Sequence, residues 1–168
     1  MSLPRISSRV ITLSRCYSLT RTTTITRYSS STTSNTNMIR RIDVSPTNRF
    51  SGATVLNGVV YLTGQVPVEG MMDNATTQTR SVLANIDNLL AKAGTDKSRI
   101  VKATCLLTNI DEDFAAMNAE WVRWLPEGAA PARTTIAGVQ LADPRWRVEI
   151  EIIAAMPQAG GPVTVTSK

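Results

Sequence analysis

The stretch ATVLNGVVYLTGQ, residues 53–65, contains two apolar runs separated by Asn57 and Gly58. Asn-Gly between two apolar segments is the strongest short signal for a β-hairpin, because both residues tolerate the positive φ angles of a type I′ turn. The pattern predicts strands over residues 53–56 and 59–64. Gly64 and Pro67 then interrupt the ladder and predict a loop at the exit of the second strand, where functional residues often lie.

Downstream of this hairpin, the apolar spacing predicts two helices and three further strands. Residues 73–93 repeat apolar side chains on one helix face, with Asp73 as a candidate N-cap and Gly94 just past the end. A β-branched run predicts a strand over residues 100–108. The segment DEDFAAMNAEWVRWLP, residues 111–126, predicts a second helix that Pro126 closes. Its core-facing stripe is expected to comprise Phe114, Met117, Trp121 and Leu125.

The last two predicted strands lie in ARTTIAGV, residues 132–139, and WRVEIEIIAAM, residues 146–156. The resulting order, ββαβαββ, predicts an α+β fold in which both helices cover one face of a single sheet. In the final strand, the period of two places Val148, Ile150 and Ile152 toward the helices and Glu149 and Glu151 on the opposite face. That second face is expected to meet either water or another subunit.

The basic character of the chain comes from its N-terminal segment. The first acidic residue is Asp43, and seven arginines precede it, whereas the remaining 11 basic residues face all 13 acidic ones and leave a net charge of −2. Residues 1–37 are rich in Ser, Thr and Arg, which is typical of a mitochondrial transit peptide, with a disordered basic tail as the alternative. Met38 is a candidate second start, which would give a cytosolic form.

Several classes of chemistry are excluded by the composition. The chain has no histidine, so a Ser/His/Asp triad, a Cys/His dyad and a His-based metal site are impossible. Cys105 lies in an apolar run and is expected to be a buried hydrophobe rather than a nucleophile. No apolar run approaches the roughly 20 residues of a membrane span. The sequence also lacks the basic stripe with interleaved aromatic residues that would indicate nucleic-acid binding. We therefore expect a soluble small-molecule or interaction protein without a metal.

Arg133 and Glu149 are the residues best suited to chemistry. An arginine grips a carboxylate through two parallel hydrogen bonds, so Arg133 could anchor a small organic acid. Glu149 could hold or deprotonate a water that attacks such a ligand. Alternatively, Arg133 pairs with Glu149 or Glu151 across neighbouring strands, as opposite charges commonly do in sheets. Spacing alone favours the ion pair over the anchor.

Four segments in the same order resemble the Rid family, the reactive intermediate deaminases also called the YjgF family. These segments are GVVYLTGQVPV, QTRSVLANIDNLLAKAG, DFAAMNAEWVRWLPEGAAPART and VEIEIIAA, and the resemblance runs from about Ile39 to Met156. It implies a chorismate mutase-like fold and a homotrimer around a central barrel, with ligand clefts between subunits. It also implies hydrolysis of 2-aminoacrylate and related enamines or imines to 2-keto acids and ammonia. No cofactor is implied for the protein itself.

The same resemblance assigns roles to individual residues. Arg133 in PART is similar to the family arginine that binds the substrate carboxylate. Glu149 in VEIE is similar to the family acid that positions or activates the hydrolytic water. Asn118 in AAMNAEW and Gly64 in LTGQ would shape the cleft. The sequence departs from the best-studied branch at Phe50, where that branch has a tyrosine, and at Thr135, where it has a cysteine. Both positions are therefore expected to line the substrate site with altered chemistry.

The expected organisation is a transit peptide over residues 1–37, a Rid-like domain over residues 38–157 and a C-terminal tail over residues 158–168. The expected compartment is the mitochondrial matrix, and the expected partners are a carboxylate-bearing small molecule and two further copies of the chain. Two other functions stay open for this family resemblance: an endoribonuclease or translation inhibitor, and a non-catalytic trimer that binds keto acids. Neither a nucleic acid nor a membrane is expected as a partner of the domain, because its charge balance is close to neutral.

Overall fold

The structure is a computed structural model that describes residues 38–68 and 73–158. The predicted leader and most of the predicted tail lie outside the described residues. Six strands and two α-helices follow one another along the described chain. They are β1 (Arg40–Val44), β2 (Ser51–Leu56), β3 (Val59–Leu62), α1 (Ala75–Ala93), β4 (Ile100–Leu107), α2 (Ile110–Trp124), β5 (Ala132–Ala137) and β6 (Val148–Ala155). A short 3-10 helix, Lys97–Arg99, lies between α1 and β4.

The hairpin around Asn57 is confirmed. Asn57 and Gly58 have φ angles of 52° and 77°, as a type I′ turn requires, and β2 pairs with β3 in antiparallel register. The second strand is shorter than predicted and ends at Leu62 rather than residue 64. Gln65 nevertheless keeps a two-way backbone bond with Ile150, at 2.8 and 3.0 Å, so the chain beyond β3 stays beside β6.

The order ββαβαββ is incomplete, because β1 precedes the hairpin. This strand reads RRIDV and pairs with β2 along the edge of the sheet. Charged residues are expected on an exposed edge strand, since they discourage pairing with other chains. Because these charges replace the apolar alternation typical of a strand, β1 was not predicted from the sequence.

The six described strands form one mixed sheet in the order β1-β2-β3-β6-β4-β5. All neighbours are antiparallel except β4 and β5, which run parallel because α2 carries the chain back between them. The two-helix, single-sheet arrangement is the predicted chorismate mutase-like fold. The topology also separates β5 from β6 by the intervening β4.

Each α-helix is capped at its N-terminus by an asparagine. The Asn74 side chain accepts a hydrogen bond from the Thr77 amide at 3.0 Å, so Asn74, rather than the predicted Asp73, caps α1. Asn109 accepts bonds from two amides in the first turn of α2. Gly94 closes α1 with a φ of 87°, as predicted.

The hydrophobic core lies between the helices and one face of the sheet. Met117 and Trp121 of α2 are buried as predicted, whereas Phe114 is 39 % exposed and lies outside the core. Apart from alanines, the completely buried apolar side chains of the described region come from α1, α2, β3, β4 and β6. They are Val60, Val82, Ile86, Leu90, Cys105, Leu107, Met117, Val148, Ile150 and Ile152. Among the described helices, none has the length and apolarity to cross a membrane.

The opposite face of the sheet carries no helix. The cross-strand pairs Leu106↔Glu149, Thr104↔Glu151 and Tyr61↔Ile153 place all six side chains on this face. It is partly apolar: Tyr61 is 44 % exposed. We call this surface the free face of the sheet.

Candidate functional site

Arg133 lies on the helix side of the sheet and is held by α2. In register it sits beside Ala103 of the buried face, and its Nη2 donates a hydrogen bond of 2.6 Å to Asn118 Oδ1. Its guanidinium carbon lies 5.3 Å from the ring centroid of Trp121, a cation–π contact. Nη1 lies 3.9 Å from Met117 Sδ. Among the described residues, no carboxylate pairs with this guanidinium.

The three α2 residues that hold Arg133 reach it because they share one helix face. Met117, Asn118 and Trp121 lie at positions i, i+1 and i+4, and Trp121 is 5 % exposed. The apolar spacing of α2 predicted only a core position for Trp121. Its helical spacing from Asn118 is the signal that could have identified it as the platform beneath the arginine.

Thr135 points to the same side of the sheet as Arg133 and pairs in register with Cys105. Burial raises the pKa of the Cys105 thiol to about 11, although Arg133 and Thr135 both act in the opposite direction. The thiol is therefore protonated at neutral pH and is not a nucleophile. The interpretation of Cys105 as a buried hydrophobe agrees with this geometry.

Glu149 lies on the free face, against the loop that follows β3. The approach to Gly64 is close: a Cβ atom built on Gly64 would lie 1.8 Å from Glu149 Oε1. Only glycine allows this contact without a shift of one of the two groups. Burial raises the pKa of the Glu149 carboxyl, and the neighbouring charge of Glu151 raises it further.

Phe50 and Gly64 line one cavity of about 360 Å³ between α1 and the loop that follows β3. Its walls include Val66, Val68 and Leu89. Phe50 lines this cavity and is 54 % exposed. Gly64 therefore contributes to the cavity and contacts Glu149 from the same loop.

The structure thus sorts the six candidate residues into two groups. Arg133, Asn118 and Thr135 lie together at the β5 edge, on the helix side. The other group contains Glu149, Gly64 and Phe50. Within one chain the two groups do not meet, because β4 separates β5 from β6 and because Arg133 and Glu149 project from opposite faces.

The alternative that Arg133 pairs with Glu149 or Glu151 across neighbouring strands is wrong for this chain. Strands β5 and β6 are not neighbours, and two strand spacings put their backbones about 10 Å apart. Arg133 instead finds its partners on α2. Within the described ranges, no group of three or more acidic or cysteine side chains is placed to hold a metal ion.

Comparison with known proteins gives consistent matches. The profile of the family described as endoribonuclease L-PSP matches residues 38–156. A RutC family protein of Haemophilus ducreyi is 49 % identical over 119 residues, which cover 71 % of this chain and 97 % of that protein. The mitochondrial protein mmf1 of Schizosaccharomyces pombe is 37 % identical over 116 residues, which cover 66 % of this chain and 70 % of that protein.

Among solved structures, a YjgF family member from Neisseria meningitidis is similar, with a TM-score of 0.68 and 40 % sequence identity. The match covers 73 % of this chain and 98 % of that one. The family profile and these relatives span nearly the whole described region. The chain therefore belongs to the endoribonuclease L-PSP family, which is the Rid or YjgF family that its sequence resembles.

Proposed function

We propose that this protein hydrolyses enamines and imines of the 2-aminoacrylate type to 2-keto acids and ammonia. Such an activity would protect pyridoxal-phosphate enzymes and amino-acid metabolism from reactive intermediates. The observation that carries the proposal is the state of Arg133. Its guanidinium is held by a neutral amide and an indole ring, so its charge and its remaining donors are available to a substrate carboxylate.

In the proposed reaction, Arg133 binds the carboxylate of the imine and fixes C2 near Glu149. Glu149 removes a proton from water as the water oxygen forms a bond to C2 and the C=N electron pair moves to nitrogen. Glu149 returns that proton to nitrogen, which gives the carbinolamine. The hydroxyl proton of the carbinolamine then passes to nitrogen as the C2–O double bond forms and the C2–N bond breaks, and ammonia leaves. One imine and one water give one 2-keto acid and one ammonia. The raised pKa of Glu149 suits it to accept the proton.

We further propose that the site is shared between copies of the chain in a homotrimer. Arg133 of one copy and Glu149 of another would face the same substrate, because one copy cannot bring the two side chains together. The partly apolar free face offers a surface for such packing. In this assembly, Phe50, Gly64, Asn118 and Thr135 would complete the walls of the cleft.

A coupled assay tests the activity. A purified pyridoxal-phosphate dehydratase generates the imine, and 2-keto acid formation is followed with and without this protein. We expect acceleration by the wild-type chain and none by Arg133→Ala. If the wild-type chain gives no acceleration but binds a 2-keto acid, the protein is a non-catalytic binder instead.

The family description leaves an endoribonuclease as an alternative. The net charge of −2 after residue 41 does not favour it, because phosphate binding normally requires a basic surface. RNA cleavage that copurifies with the wild-type protein and disappears in Arg133→Ala would support the alternative over the deaminase.

We also propose that residues 1–37 direct the protein to the mitochondrial matrix, in keeping with the mitochondrial name of the related mmf1. The leader fused to a fluorescent passenger should carry it to mitochondria. A passenger that remains in the cytosol would overturn this assignment. A start at Met38 would yield a second, cytosolic product that lacks the leader. We also propose that the Rid-like domain extends from residue 38 to residue 157.

A further inference from the structure

The loop that carries Gly64 is tied to α1 by two side chains. Asn85 Nδ2 donates a hydrogen bond of 3.0 Å to the carbonyl oxygen of Val66. The amide of Val68 donates one of 3.0 Å to Ser81 Oγ. Asn85 and Ser81 are one helical turn apart, so they face the loop together. We call residues Thr63–Val68 the β3 loop.

The other side of the β3 loop is tied to β6. Gln65 exchanges both backbone hydrogen bonds with Ile150, the residue next to Glu149. The Gln65 side chain also donates to the Thr63 carbonyl at 2.9 Å. The β3 loop is therefore fixed between α1 and β6, and Gly64 lies where the loop touches the Glu149 carboxyl.

We infer that Asn85, assisted by Ser81, is a positioning residue for Glu149 that acts through the β3 loop. Loss of its amide would release the Val66 carbonyl, allow the Gly64 backbone to move away from the Glu149 carboxyl, and let water reach it. Asn85 belongs to the segment QTRSVLANIDNLLAKAG, which resembles the Rid family. Its side chain has no role in the proposed reaction and is not part of the hydrophobic core. Ser81 is 5 % exposed, so its bond to Val68 is shielded from water.

The electrostatic surroundings of Glu149 make this displacement measurable. Four titratable side chains of the described region share its face: Glu151 on β6, Lys102 on β4, Tyr61 on β3 and Arg41 on β1. None of them lies on α1 or on the β3 loop. A neutral substitution at residue 85 therefore alters the burial of Glu149 without changing the charges around it. Burial is the larger cause of its raised pKa, so greater access of water should lower that pKa.

The inference rests on the proposed role of Glu149, but its first test needs no turnover. The full chain labelled with ¹³C at glutamate carboxyl carbons is titrated by NMR, and Glu149→Gln identifies the resonance. We expect Asn85→Leu to shift the titration midpoint of the Glu149 carboxyl toward the ordinary pKa of glutamate. Ser81→Ala, a milder change at a buried position, should shift it in the same direction. Asn88→Leu is the matched control, because Asn88 lies on the same helix and beside the same cavity and makes no hydrogen bond to the described β3 loop.

The second test is kinetic. If the proposed deaminase is correct, Asn85→Leu should lower kcat by about tenfold while KM changes by less than about twofold, because the base is displaced and the Arg133 clamp is not. Unchanged Glu149 midpoints in both Asn85→Leu and Ser81→Ala, with the cooperative thermal transition retained, would overturn the inference. Absence of deaminase activity in the wild-type chain would instead overturn the proposed function, and the NMR result would stand independently.

Discussion

Arg133 and Glu149 project from opposite faces of one sheet, with strand β4 between the strands that carry them. Arg133 is fixed on the helix side by Asn118 and Trp121, and Glu149 lies on the free face against Gly64. A reaction that needs both side chains therefore requires two copies of the chain.

Substitution of Arg133 should remove the carboxylate clamp. Arg133→Ala is expected to lower kcat/KM for the imine by about 100-fold or more, since a charge-assisted bidentate contact contributes about 3 kcal/mol. Arg133→Lys should recover only part of this loss, because lysine keeps the charge but not the planar fork. Steady-state kinetics on both variants measures the difference. Equal kcat/KM for Arg133→Ala and the wild type would contradict the clamp.

Glu149→Gln should abolish turnover and stabilise the fold near neutral pH. Burial and Glu151 raise the folded-state pKa of Glu149, so the native state holds its proton to higher pH than the unfolded state does. Stability therefore falls as pH rises from the unfolded pKa through the folded one, and glutamine removes this loss. In thermal melts at pH 4 and pH 7, the variant should have a higher melting temperature than the wild type only at pH 7. A lower melting temperature than the wild type at pH 7 would contradict the argument.

The same pKa shift predicts the pH dependence of the proposed activity. Glu149 must be ionised to accept a proton, so kcat/KM should rise with pH through a midpoint above the ordinary glutamate value and then level off. The pH–rate profile of the wild-type protein measures this midpoint. A rate that is constant across the acidic range would exclude Glu149 as the base.

Gly64→Ala tests the close approach of the β3 loop to Glu149. The added methyl group would lie 1.8 Å from Glu149 Oε1, so one of the two groups must shift. We expect kcat/KM to fall by about tenfold or more. Gly58→Ala is the control: its Cβ meets nothing within 4 Å, and its φ of 77° should cost about 1 kcal/mol of stability without affecting turnover. Equal kinetics for both alanine variants would argue against the contact.

The helix pair is predicted to depend on Glu120. This buried carboxylate receives two hydrogen bonds of 2.9 Å from Arg80 and one of 2.6 Å from Arg123. The bonds from Arg80, and then the bond from Arg123, lower the pKa of Glu120 from 4.5 to about 2. Its stabilising contribution is therefore fully present above about pH 4.5 and is lost as pH falls toward 2.

Urea unfolding of Glu120→Gln measures this contribution. The variant should be less stable than the wild type at pH 7, and the difference should shrink at pH 3. Because both arginines are mostly exposed, added salt should also reduce the difference at pH 7. A difference that is the same at both pH values would indicate that the carboxylate charge does not matter.

Much of the fold could be predicted from local sequence. Asn57-Gly58 specified the hairpin, and the helical repeat around Ile86 specified α1, because in both cases neighbouring residues carry the signal. Strand β1 escaped prediction because its charged edge residues have no apolar alternation. The ends of β3 and the N-cap at Asn74 differed by one or two residues, since they depend on individual hydrogen bonds.

The site was less accessible to sequence reasoning. The alternation of β6 placed Glu149 on the free face correctly. The face of Arg133 could not be inferred, because β5 is an edge strand of mixed ARTTIA sequence and its position beside β4 is a long-range property. The resemblance identified Arg133 and Glu149 as candidates, but only the strand order revealed that one chain keeps them apart.

Complementation between two inactive variants tests the shared site most directly. Arg133→Ala and Glu149→Gln chains are co-refolded in equal amounts, and the imine assay is run on the mixture and on each variant alone. If each site takes Arg133 from one copy and Glu149 from another, random assembly should restore about a quarter of wild-type activity, while each variant alone stays inactive. A mixture that contains mixed oligomers but remains as inactive as its components would contradict the shared site.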